Sequence, residues 1–102
     1  MKNNLISILD EVIELLEKCD WNEKAEWFRL KRERINSLDI KSTEIQNELA
    51  ELDKIIAGIG SFSDLPLYPR KGDSRTKEEI TQIQWALAER LGKAIDKIFT
   101  VK

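Results

Sequence analysis

Histidine is absent from this chain, and cysteine, proline, glycine and aromatic residues are scarce. Histidine is the commonest general base and metal ligand near neutral pH, so its absence excludes Ser–His and Cys–His catalytic pairs. The single cysteine, Cys19, excludes an intrachain disulfide and a thiolate metal cluster within one chain. Its place on an apolar helix face is typical of a small core residue. Because phosphate-binding glycine motifs are also missing, we expect a protein that is not an enzyme and needs no cofactor or metal.

The chain also lacks a strong charge of one sign and a long apolar run. Its 17 Lys and Arg against 19 Asp and Glu give a net charge of −2, which favours neither nucleic acid nor an anionic membrane as a partner. The N-terminal apolar run, residues 5–9, is ended by Asp10 and Glu11 and is too short for a signal peptide or a membrane span. We therefore expect a cytoplasmic protein. Its 102 residues fit a single domain, 1–102.

Apolar residues recur at helical spacing in four segments, residues 4–19, 20–37, 42–57 and 76–99. No segment alternates with the period of a strand. The predicted fold is all-α, a small antiparallel bundle of four main helices with a short helical turn in the 58–73 loop. The predicted helix starts are Asn3 or Asn4, a capping box of Asp20 with Glu23, Ser42 or Thr43, and a capping box of Thr76 with Glu79.

The aromatic residues of the predicted helices differ in what they indicate. Trp21 and Phe28 share one helix face and are expected in the core, with Leu30 widening that face. Ile83 belongs to the apolar stripe of the last helix. Trp85 flanks that stripe, and it is either a core residue or a partly exposed anchor for a partner.

The loop after the third helix, residues 58–69 with the sequence GIGSFSDLPLYP, holds both prolines and the only tyrosine. Gly58 can end the third helix, and Ser61 with Asp64 forms another capping box that predicts one helical turn before Pro66. The apolar residues expected to close the open end of the bundle are Phe62, Leu65 and Leu67. The loop therefore has a structural explanation, and the alternative that it contacts a partner remains open.

Two acidic stripes run along the first and third helices at i, i+4, i+7 spacing, and their members are Asp10, Glu14 and Glu17, and Glu44, Glu48 and Glu51. We expect neither stripe to have enough lysines within a turn to neutralise it. Each stripe is either an ordinary solvated face or a docking face for a basic partner.

The basic cluster of the second helix consists of Arg29, Lys31, Arg32 and Arg34, interleaved with Glu26 and Glu33. Nucleic acid binding would require a second, short basic recognition helix, so we interpret this cluster as a solvated helix face. The carboxylates could in principle form a di-metal site, but they fall on predicted outward faces.

The glycine-containing loop follows the tryptophan-containing second helix and reads Ile59-Gly60-Ser61-Phe62-Ser63-Asp64-Leu65. It resembles a small helical bacterial family whose members carry a loop of Gly-Gly-Met-Gly-Ser, a hydrophobic residue and Asn-Asp-Leu. Here Ser63 stands where the family has asparagine. Similar proteins look like immunity proteins of polymorphic toxin systems, including contact-dependent growth inhibition. The resemblance covers roughly residues 20–67 and leaves out the last helix.

The resemblance implies an immunity protein that covers the active site of a cognate toxin domain, as a monomer in a 1:1 complex. A nuclease toxin would present a basic site that acidic stripes can match. The expected partner-binding residues are Asp10, Glu14, Glu17, Glu44, Glu48, Glu51, Asp64 and Tyr68. The alternatives are a non-enzymatic helical adaptor or regulatory subunit, a small enzyme or metal carboxylate protein, and a nucleic-acid binder.

Overall fold

The structure is a computed structural model that describes residues 2–56 and 62–99. Its elements are all helical within those ranges: α1 (Lys2–Lys18), α2 (Asn22–Ser37), α3 (Thr43–Ile56), a short 3-10 turn (Phe62–Asp64) and α4 (Lys77–Phe99). The helices contact one another in the ring order α1, α2, α3, α4 and back to α1. The prediction of an all-α bundle is confirmed, including the helical turn in the loop.

Neighbouring helices run antiparallel, as the hydrogen bonds and ion pairs between them show. Lys2 at the start of α1 bonds the carbonyl of Leu38 just past the end of α2, whereas Glu17 near the end of α1 pairs with Arg29. On the other flank of α1, Glu11 pairs with Arg90 of α4. One continuous cluster of buried aliphatic and aromatic side chains, drawn from all four helices and from the 62–67 segment, fills the centre.

Phe28 lies at the centre of this core and is 1% exposed. Its ring meets Phe62 of the loop edge-on at a centroid distance of 5.8 Å, and Trp27 edge-on at 5.0 Å. Such edge-to-face pairs add to the stabilisation that comes from burying the rings. The prediction that Phe28 is core is confirmed, whereas Trp21 is only partly buried against the core.

The 62–67 segment closes the bundle where α3 is too short to do so. With 14 residues α3 is about 21 Å long, whereas α4 with 23 residues is about 34 Å long. Phe62 and Leu67 are each 1% exposed, and Leu65 is partly buried against the core. The predicted closure of the bundle end by these residues is confirmed.

Gln84 holds this segment in place from inside the core. Its side chain is 2% exposed, and its amide nitrogen donates to the carbonyl oxygens of Phe62 at 2.7 Å and Leu65 at 3.0 Å. A buried amide satisfied in this way costs little, whereas the same carbonyls left unpaired would be expensive. The apolar stripe predicted for α4 is therefore wrong at one position. Ile83, a predicted member of the stripe, is 37% exposed, whereas the polar Gln84 faces inward.

The predicted capping box of Asp20 with Glu23 is wrong, because Asp20 ends α1 instead of starting α2. Its φ of +64° lies in the left-handed region. The amide of Asp20 donates to the Glu17 carbonyl at 3.2 Å, and that of Trp21 donates to the Leu16 carbonyl at 2.8 Å. This pair of bonds is the Schellman arrangement of a helix C-terminus. No side chain caps the start of α2 at Asn22.

The other predicted helix ends have mixed outcomes. The Ser42 hydroxyl accepts from the amide of Ile45 at 3.2 Å, and the Thr76 hydroxyl accepts from the amide of Glu79 at 3.1 Å, so both caps are confirmed. The predicted caps at Asn3 or Asn4 are wrong, because α1 already begins at Lys2. The roles predicted for Gly58 and Ser61 fall outside the described residues.

We expect Phe28→Ala to lower the free energy of unfolding by about 3–5 kcal/mol, because it removes a fully buried ring and leaves a cavity. Urea denaturation followed by circular dichroism measures the change. Leu30→Ala is the control, since Leu30 lies on the same helix but is 57% exposed, contrary to its expected core position. A loss below about 1 kcal/mol for Phe28→Ala would contradict this account of the core.

We expect Gln84→Leu to lower the free energy of unfolding by about 1–3 kcal/mol, because two buried carbonyls lose their donor. The exposed Gln82 on the same helix provides the matched control, Gln82→Leu. Amide hydrogen exchange of residues 62–67 should accelerate in the Gln84 variant alone. Unchanged exchange there would show that the amide does not hold the segment.

Candidate protein-interaction surface

The described residues offer no metal-binding cluster. Within residues 2–56 and 62–99, no group of three or more His, Cys, Asp or Glu residues could hold a metal ion. Cys19 is 8% exposed, and burial raises the pKa of its thiol, so little of it exists as the reactive thiolate at neutral pH. None of the described helices combines the length and apolar content needed to cross a bilayer. The features that remain are charged and aromatic surfaces.

The basic cluster of α2 lies between the two acidic stripes and pairs with both. Toward α1, Arg32 Nε lies 2.5 Å from Asp10 Oδ1, and an Arg29 guanidinium nitrogen lies 3.0 Å from Glu17 Oε1. Glu14 pairs with Lys18, one turn further along α1, at 2.7 Å. All three carboxylates of the α1 stripe therefore have cationic partners within the protein.

Toward α3, the same helix presents Lys31 and Arg34. Lys31 Nζ lies 2.6 Å from Glu48 and also bonds Glu51, and an Arg34 nitrogen lies 3.3 Å from Glu48. Glu44 is exposed and has no ion pair among the described residues. The α3 stripe is thus partly neutralised, and Glu48 is largely buried at a side-chain exposure of 15%.

Lys31 is the most unusual member of this network, because its side chain is only 6% exposed. Burial by itself disfavours the charged ammonium and lowers the pKa of Lys31. The hydrogen bonds and charges of Glu48 and Glu51 outweigh that effect, so the pKa is raised overall. The ammonium also lies 5.4 Å from the centroid of the Trp27 ring, which favours a cation electrostatically. Lys31 is therefore a charged residue built into the α2–α3 seam.

These pairs correct two expectations. The stripes do not lack neutralising cations, and the basic cluster is not a free solvated face. Patterns within single helices do not reveal these pairs, because the partners lie on different helices. A signal was present in the spacing. Arg29 and Arg32 are three residues apart and share one side of the helix, and Lys31 and Arg34 share the opposite side. Charge reversal of either stripe would therefore disturb folding as well as any partner contact.

A second candidate surface lies where the loop meets α4, and we call it the aromatic surface: Asp64, Tyr68, Lys77, Glu78 and Trp85. Trp85 is 60% exposed and Tyr68 is 56% exposed. Lys77 Nζ lies 4.7 Å from the centroid of the Tyr68 ring. Two of the predicted partner-binding residues, Asp64 and Tyr68, belong to this surface, and both are exposed. The other six lie along α1 and α3.

The aromatic surface is held rigidly by the elements beneath it. The indole N–H of Trp85 donates to the carbonyl of Ser63 at 3.3 Å, one turn before Leu67 enters the core. Gln84, the residue before Trp85, bonds the same loop from the inside. The alternative that Trp85 is a core residue is therefore wrong, and the alternative that it anchors a partner stays a prediction.

Past Tyr68 the loop is tied to the end of α1. An Arg70 nitrogen donates to the carbonyl of Glu17 at 3.0 Å, and Arg70 Nε lies 3.4 Å from Asp20. Asp73 accepts from both the side chain and the amide of Arg75, and these bonds lower the pKa of Asp73 to about 2. These contacts hold residues 68–75 against the bundle.

Comparison of the chain with protein-family models, with curated proteins and with solved structures found no match. The resemblance to immunity proteins therefore stays a prediction.

We expect the double variant Glu48→Gln/Glu51→Gln to lower the free energy of unfolding by about 2–3 kcal/mol, because the buried Lys31 ammonium loses its charged partners. Adding Lys31→Met should restore most of that loss. Both effects should fade in acid, because the pKa of Glu51 is lowered below its ordinary 4.5 and its contribution disappears as the pH falls through that lowered value. Urea denaturation at several pH values measures this.

The matched control for this network is Glu44→Gln/Asp53→Asn, which neutralises two exposed carboxylates of α3 that have no ion pair among the described residues. An equal loss in the control, or no rescue by Lys31→Met, would contradict the account of Lys31.

Proposed function

We propose that this protein is a non-enzymatic binding protein whose partner docks on the aromatic surface, and that it acts as an immunity protein neutralising a cognate toxin domain. The observation that carries the binding proposal is the exposure of Trp85 and Tyr68, with the indole of Trp85 hydrogen-bonded to the loop that carries Tyr68. Tryptophan and tyrosine dominate the residues whose truncation most weakens protein interfaces.

Preorganisation supports this choice of surface over the acidic stripes. A partner that docks on Trp85 meets a ring already oriented by Ser63, so little conformational entropy is lost on binding. Four of the six stripe carboxylates, by contrast, are engaged with α2 cations, and recruiting them would cost the ion pairs they already make; these four are Asp10, Glu17, Glu48 and Glu51. We therefore assign them a supporting electrostatic role rather than a direct one.

The partner expected from the resemblance is a basic nuclease domain. The chain is weakly acidic overall, and the aromatic surface carries the carboxylates Asp64 and Glu78. A basic active site built for phosphates is attracted to such a surface, which speeds association. The inhibitor would act in the cytoplasm of the cell that makes it, as a monomer in a 1:1 complex that blocks access to the toxin's active site.

The second candidate is a helical adaptor or regulatory subunit that binds another cytoplasmic protein by the same surface. The internal pairing of both acidic stripes favours it, because that pairing leaves less carboxylate charge available to imitate a phosphate backbone. The two candidates share the docking surface and differ in the identity of the partner.

We expect tagged wild-type protein to capture, from lysate of its native host, the C-terminal domain of a large secreted protein in near-equal amount. The variant Trp85→Ala/Tyr68→Ala should retain about tenfold less of it, because the aromatic anchors are removed. Leu30→Ala is the matched control, since Leu30 is exposed to the same degree on α2. Quantitative mass spectrometry of the captured material gives the ratios.

Co-expression then separates the two candidates. The captured domain should stop growth when it is expressed alone, and the wild type but not the aromatic variant should restore growth. Capture of a housekeeping complex with no effect on growth would identify an adaptor. Undiminished capture by the aromatic variant would refute the docking surface.

A further inference from the structure

Trp85 presents a fixed ring with an uncovered face. One edge is attached through the indole N–H to the Ser63 carbonyl, yet 60% of the residue is exposed. Among the described residues a cation lies over Trp27 and another over Tyr68, but none lies over Trp85. Trp85 is thus an exposed, oriented ring to which residues 2–56 and 62–99 supply no cation.

The protein surface beside Trp85 suits a positive charge. A shallow concavity of about 250 Å³ lies against the ring and is lined by Lys77, Glu78, Thr81, Gln82 and Trp85. The one cation among them, Lys77, has its ammonium over Tyr68. The exposed Asp64 directly follows Ser63, the residue that holds the indole. Glu78 therefore contributes a carboxylate to the lining of this concavity, and Asp64 lies one residue along the chain from the carbonyl that holds the indole.

We propose that Trp85 receives an arginine side chain of the protein partner, with the guanidinium stacked on the indole face and Glu78 and Asp64 compensating its charge. This inference rests on the proposed function and names the chemistry of the contact. A planar guanidinium suits the site better than an ammonium, because it can stack on the ring and still donate hydrogen bonds from its edge.

The same carboxylates disfavour the other ring-stacking occupant, a nucleic acid base. A base reaches a tryptophan together with its phosphate, which Glu78 and Asp64 repel. A single-stranded oligonucleotide therefore serves as a negative probe.

The test uses the full chain labelled with ¹⁵N and two short peptides, acetyl-Gly-Arg-Gly-Arg-Gly-amide and its counterpart with citrulline in place of arginine. Citrulline keeps the shape of arginine but is uncharged. The chain has three tryptophans, and Trp85→Phe assigns the indole N–H signal of Trp85. We expect that signal to shift in a saturable way with the arginine peptide, and about fivefold more weakly with the citrulline peptide.

Glu78→Gln should weaken the arginine response, whereas the matched control Glu44→Gln on α3 should leave it unchanged. Equal responses to the two peptides, no saturable shift, or a stronger response to the oligonucleotide would overturn the proposal. A shift of the Trp85 signal that depends on protein concentration alone would also overturn it, because it would identify a second copy of the chain as the occupant.

The two proposals fail separately. Partner capture that depends on Trp85, without any peptide response, would sink the arginine contact and leave the proposed function standing. A selective arginine response without a captured partner would contradict the proposed function and leave the arginine contact standing.

Discussion

The bundle depends on the ion pairs that α2 makes with both α1 and α3. Lys31 is buried between α2 and α3 and bonds Glu48 and Glu51, while Arg29 and Arg32 on the opposite side of α2 reach the carboxylates of α1. Apart from Lys31, the residues that α2 buries are only Ala25, Phe28 and Ile35. Ion pairs on both flanks therefore supplement this small apolar contact. Such pairs contribute modestly to stability but strongly restrict register, because a shifted helix would leave Lys31 buried without a partner.

The loop between α3 and α4 has two sides with different roles. Its inner side supplies Phe62 and Leu67 to the core, while its outer side supplies Asp64 and Tyr68 to the aromatic surface. The structural and the functional explanations of this loop are therefore compatible, since burial of one side fixes the geometry of the other. Gln84 and Trp85 repeat this division on α4, where neighbouring residues bond the loop from inside and outside.

The sequence was sufficient for the fold and insufficient for the charged surface. Helical periodicity located four helices, and local capping chemistry located Ser42 and Thr76, because these signals are contained within a few residues. The role of Asp20 was misjudged because the same residue type serves at either side of a helix boundary. The pairing of Lys31 and the inward turn of Gln84 depend on the register between helices, which local patterns do not encode.

The order of the helices along the chain has a consequence for biosynthesis. α1 lies between α2 and α4. Of the four helices, α2 is synthesised directly after α1, whereas α4 is synthesised last. Glu11 and its partner Arg90 are 79 residues apart along the chain. While the ribosome is still producing α4, one apolar flank of α1 has nothing to cover it. Contacts separated by so many residues slow folding, because a long stretch of chain must be brought together before they can form.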